Sequence, residues 1–158
     1  MRRALCLLIV GVLAACGTLS GGGGAGEVDG LHLFGLPITL NLNGQPGADG
    51  FAVRIFVTKS GSAKGVPISE GSIEALMFDG VVRYDEILTN APTQKWSFNA
   101  KQLMPFRERS QLGDGYRLVL RWNEAPKHGH ITVIARYLPP KDRPPIYSSP
   151  STITSAIQ

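Results

Sequence analysis

Cysteine is nearly missing from this chain: there are two in 158 residues, Cys6 and Cys16, and none afterwards. Whatever folds beyond position 16 therefore has no disulfide, thiolate metal site or cysteine nucleophile to draw on. Charge is also scarce, at 18% of residues, with 16 Lys+Arg against 12 Asp+Glu. The bases are scattered among the acids, without a basic helix or an aromatic-basic stripe, so no nucleic-acid footprint is present. Apolar runs end after about a dozen residues, too short for a permanent helix across a hydrocarbon core of about 30 Å. What is plentiful is 19 glycines and 11 prolines, 30 of 158 residues, beside 43% hydrophobic content. That mixture excludes a disordered tail and a coiled coil and predicts a single turn-rich, all-β domain.

The longest apolar run sits at the start. Arg2 and Arg3 precede an apolar stretch from Ala4 to Val12, and Leu13-Ala14-Ala15 leads into Cys16. A positive head and a short apolar core describe a secretory signal peptide over residues 1–15. The order Leu-Ala-Ala-Cys resembles the lipobox of bacterial lipoproteins. That resemblance implies cleavage before Cys16, which then carries a thioether-linked diacylglycerol and usually an amide-linked acyl chain. Two or three chains anchor a protein stably where one holds it only reversibly. Gly17 rather than Asp follows Cys16, so anchoring to the outer membrane is the expectation, on its periplasmic or surface side. An ordinary secreted protein is the alternative. Removing Arg2 and Arg3 leaves 14 bases against 12 acids, a net charge of +2.

Residues 16–30 hold the expected lipidated cysteine and a glycine-rich tether, with a reach of about 20 Å as a flexible coil. The domain is expected over 31–158, where the periodicity is two. Residues 37–42 alternate, and 51–58 (FAVRIFVT) place Phe51, Val53, Ile55 and Val57 on one face, with Phe56 covering a second surface. Residues 72–78 and 81–84 flank Asp79-Gly80, a dipeptide favoured in tight hairpins. Residues 95–98 predict another strand. Asn99 and Gln102 predict a capped helix running from Ala100 to about Met104, limited by Pro105. Residues 116–122 and 131–138 complete the strong strands, and 152–154 a closing edge strand. About eight short strands and one short helix predict a two-layer β-sandwich, transthyretin-like or immunoglobulin-like.

Catalytic signals are weak. His128 and His130 lie close in sequence without an identifiable third ligand, so no metal is expected. Asp114 sits in a Gly-Asp-Gly turn, where the residue normally bonds its own backbone. No serine lies in a Gly-x-Ser-x-Gly elbow, and residues 21–24 lack the Lys-Ser/Thr ending of a phosphate loop. The expectation is a non-catalytic protein with no cofactor and no small-molecule substrate. Trp96, Phe98, Phe106, Trp122, Tyr137 and Tyr147 read first as core, but aromatics with arginines also make interface hot spots. The loops carrying Arg107 and Arg109, and Arg143 and Tyr147, are thus the candidate interface for an envelope protein partner.

From residue 36 to 156 the pattern resembles the transthyretin-like or immunoglobulin-like sandwiches of many bacterial lipoproteins. More narrowly, Leu40-Asn41-Leu42-Asn43 through Gly50 and the strand ending Val57-Thr58-Lys59-Ser60 are similar to the opening strands of the TssJ lipoprotein family of type VI secretion. Ile134-Ala135-Arg136-Tyr137 is similar to that family's late strand. In place of its acidic mid-chain helix segment this chain has the strand around Trp96 and Phe98. The resemblance implies a periplasmic anchor on the outer membrane that holds an inner-membrane partner, TssM. A carbohydrate- or cell-wall-binding module and a hydrolase are the other classes considered.

Overall fold

The structure, a computed structural model, describes residues 27–155. The leader, Cys16 and the tether as far as residue 26 lie outside the described residues. Nine antiparallel strands form two sheets packed face to face. The front sheet runs β1 (Val28–Gly35), β2 (Gly50–Lys59), β6 (Gly113–Arg121), β5 (Arg107–Ser110) in spatial order. The back sheet runs β4 (Gln94–Asn99), β3 (Ser72–Asp79), β7 (His130–Leu138). On the far side of β7, β8 (Ile146–Tyr147) covers one end and β9 (Ser151–Thr154) the other. Between them Ser148 donates its N–H to the Ala135 carbonyl at 2.9 Å, and its hydroxyl accepts from the Ala135 N–H at 3.0 Å. At this break in the edge, therefore, neither backbone group of Ala135 is left without a partner.

Spatial order 1-2-6-5 opposite 4-3-7-9 is the immunoglobulin arrangement, with β4 as the additional strand of the second sheet. It is held without an inter-sheet disulfide, by the core alone. Phe51, Val53, Ile55 and Val57 face Ile73, Ala75 and Met77 and the Ile131, Val133, Ala135, Tyr137 row, and all are buried. Tyr116, Leu118, Leu120 and Trp122 extend this layer as the alternation predicts. Full burial of one such side chain stabilises by about 1.5–3 kcal/mol. Tyr116 also accepts the Ile68 N–H at 2.8 Å, which ties the β2–β3 connection to the core.

Three local expectations are corrected. Residues 37–42 contribute isolated bridges at Ile38 and Leu40, not a strand; the first strand is β1, which begins at Val28 within the stretch expected to be tether. Residues 72–78 and 81–84 do not form a hairpin. Both edges of β3 are occupied, by β4 and β7, so the chain leaves β3 at Gly80 (φ +89°) and forms a short helix, α1 (Tyr84–Ile87). Asp114 does not bond its own turn but pairs with two arginines. By contrast, α2 (Ala100–Leu103) has the expected cap: the Asn99 side chain accepts the Gln102 N–H, and the Gln102 side chain accepts the Asn99 N–H, both at 2.9 Å. A 3-10 turn, Met104–Phe106, then delivers the chain to β5.

Candidate functional site

The outer face of the back sheet is apolar, because β3 and β7 carry large side chains on both sides. Leu76, Phe78 and Ile134 point away from the main core and are nevertheless buried. Ile87 of α1, with half-buried Val82 and Tyr147, closes over them as a second small core. This places residues 80–93 as a pad on the sheet rather than as a free loop. Thr132 fixes one end: its hydroxyl accepts the Val82 N–H at 2.9 Å and donates to the Gly80 carbonyl at 2.8 Å. Glu86 accepts the Arg83 N–H at 2.9 Å and so closes α1 at its start. At the other end Thr93 donates its N–H to Met77 O at 2.8 Å, and its hydroxyl accepts the Asp79 N–H at 3.2 Å.

Asp79 joins this pad to the β6–β7 connection. Its carboxylate accepts the Lys127 and His128 N–H groups at 2.9 and 3.1 Å, and His128 Nδ1 lies 3.2 Å away. Burial raises its pKa, but these hydrogen bonds and the imidazole outweigh it and hold the carboxyl below its usual value. Deeper in the same face, Glu74 is buried against Arg136, whose Nε donates at 2.7 Å and whose Nη2 donates to the same oxygen. Lys95 Nζ approaches to 3.4 Å, and the Arg136 guanidinium lies 5.9 Å from the centre of the Tyr147 ring. On this rigid support Val81 (69% exposed), Tyr84 and Leu88 project into solvent. Three exposed apolar side chains on a preorganised loop can dock a partner with little ordering cost.

The four residues expected at an interface do not converge. Arg107 and Arg109 lie together on β5, the edge of the front sheet, and both contact Asp114, at 3.0 and 3.3 Å. Their hydrogen bonds lower the Asp114 pKa, and Asp114 raises that of Arg107. Arg143 is at the opposite edge, paired with Glu27 beside a cavity of about 240 Å³ that Lys59, Glu70 and Tyr137 also line. Tyr147 alone packs beside the pad, half-buried against the small outer core from β8. Val81 and Tyr84 escape notice in the sequence because residues 81–84 read as one arm of a hairpin, and Leu88 lies beyond it without a pattern of its own. The sequence signal that could have found them is the double-faced apolar pattern of residues 72–78, which demands a cover on each side.

Among the described residues no group of three or more His, Cys, Asp or Glu is placed to hold a metal ion. None of their helices is long and apolar enough to cross a membrane. Compared with protein-family models, with curated proteins and with solved structures, the chain matches none.

Proposed function

We propose that this chain is a non-catalytic lipoprotein, anchored to the outer membrane through acyl chains on Cys16, whose sandwich docks another envelope protein. The Leu-Ala-Ala-Cys order and the glycine-rich stretch after it support the anchor. The observation that carries the docking role is the pad of residues 80–93, braced by its own small core while Val81, Tyr84 and Leu88 stay outside. A loop tied down at both ends loses little conformational freedom on association, and its tyrosine is a residue type enriched in hot spots. Arg107 and Arg109, engaged with Asp114, serve the β5 edge in this reading and not the partner.

A photo-crosslinking residue at position 88, in cells carrying the full chain, tests this. The expected result is one discrete adduct, identified by mass spectrometry and absent when the same residue is placed at position 123. Equal smears from both positions, or no adduct from position 88 and none from position 84, would contradict it. The resemblance of residues 40–60 to TssJ makes TssM a specific identity for that adduct.

A further inference from the structure

We propose that the outer face of the front sheet rests on the anionic bilayer to which the chain is anchored. This rests on the lipid-anchor reading above but concerns a different surface from the pad. Here the described chain covers only part of the sheet: Ala63, Gly65 and Leu112 lie beside Phe56 at one end, and large apolar side chains elsewhere on the face stay exposed. Phe34 is 53% exposed and packs edge-on to the buried Phe56 at 5.9 Å, while Val119, 51% exposed, stands opposite Ala52, near which Leu36 also lies. Shallow hollows of about 190 and 200 Å³ lie on either side of Phe34. Phenylalanine and leucine beside basic side chains are the composition of surfaces that sit in the interfacial layer of a membrane.

Charge selects the same occupant. Arg54 and Arg117 stand directly opposite one another across β2 and β6, an arrangement that is unfavourable in isolation. Glu108 pairs with Arg54 at 2.7 Å, and Asp49 pairs with Arg121 at 2.8 Å. In the second pair the guanidinium is the exposed member, 59% against 14% for the carboxylate. Arg117 has no ion-pair partner among the described residues. The face therefore presents cations outward over covered acids, with Asp29, hydrogen-bonded to the Thr58 hydroxyl at 3.2 Å, at the Val28 end. Anionic headgroups satisfy that arrangement.

Reach agrees. Residues 17–27 allow Val28 to lie no more than about 40 Å from Cys16. Because β1 is the outermost strand of this sheet, the anchor enters at the edge of the proposed contact face. A tether of that length keeps the face at high effective concentration over the bilayer, so contacts too weak to recruit the domain alone suffice to orient it.

The test uses the full lipidated chain in vesicles of phosphatidylethanolamine and phosphatidylglycerol. An environment-sensitive fluorophore is attached at Val119→Cys or, on the opposite side of the molecule, at Glu86→Cys. The inference predicts that both variants float with the vesicles. Only the label at 119 should shift to the blue and be quenched by spin-labelled lipid. Adding Arg117→Glu should move the lying-to-standing equilibrium about fivefold toward standing, since one basic residue at an anionic surface is worth about that factor. Flotation with both labels equally aqueous would overturn the inference and leave the anchor intact. Loss of flotation would overturn the anchor, and the inference with it. A label at 119 that is aqueous on vesicles but shielded in intact envelopes would assign the face to a protein and overturn the lipid proposal.

Discussion

The back sheet covers its outer face with its own chain, whereas the front sheet leaves large apolar side chains of its outer face exposed. Leu76, Phe78 and Ile134 are closed in by Ile87, Val82 and Tyr147; Phe34, Leu36 and Val119 remain 53%, 43% and 51% exposed. Both sheets share one core and the same antiparallel construction, so the difference lies in the connections. Fourteen residues, 80–93, separate β3 from β4 and fold back across the sheet. The β5–β6 connection is a tight turn, Ser110 to Gly113, where a Cβ on Gly113 (φ +99°) would stand 2.5 Å from the Gly65 backbone. The comparison teaches that the pad belongs to the stable body of the fold, while the bare face is free to vary without unfolding it.

Substitutions sharpen that contrast. Ile134→Ala removes a fully buried side chain beneath the pad and should lower unfolding stability by about 3 kcal/mol in urea titrations. Next in size is Arg136→Met, which leaves Glu74 buried beside only Lys95. A loss of about 2 kcal/mol is expected, and the double variant Glu74→Met/Arg136→Met should recover most of it, because replacing both members of a buried pair removes the unpaired charge.

Asp79→Asn should cost about 1 kcal/mol at neutral pH through weakened hydrogen bonds to residues 127 and 128. It should also flatten the acid limb of stability. The Asp79 pKa is lower in the folded state, so its contribution is complete above the ordinary carboxylate pKa of about 3.9 and is lost as pH falls through the folded value. Equal acid limbs in the two proteins would break the assignment of Asp79 as the latch between the loops. The smallest effect belongs to the bare face: Val119→Ser should stay within about 0.5 kcal/mol of the parent. A larger loss would mean that this surface is not free.

The sequence made the inner layer legible because alternation is a local signal: the rows from Phe51, from Tyr116 and from Ile131 are all read off at period two. It misled at Asp79-Gly80, where the local turn preference is real but two distant strands had already taken both edges of β3. Pairing between strands distant in the chain leaves no local trace; the arginines are a different case, because Asp114 lies only five and seven residues from them. The stretch carrying Arg107 and Arg109 reads as an interface loop, whereas it forms β5, whose register with β6 sets Arg109 directly opposite Asp114. Residues 28–35 were hidden by Gly30 and Gly35, although Leu31 and Leu33 already alternate inward. The pad was illegible because α1 has only four residues and depends on Ile87 meeting a cluster assembled from β3 and β7.

Hydroxyl-radical footprinting of the full chain bears most directly on the picture of two working faces. Oxidation would be compared between intact envelopes and a Cys16→Ser form released from the bilayer. The account predicts that Tyr84 and Leu88 on the pad, and Phe34 on the bare face, are all oxidised in the released form and protected in envelopes, while buried Phe56 stays unreactive in both. Equal oxidation of Tyr84, Leu88 and Phe34 in the two preparations would contradict it.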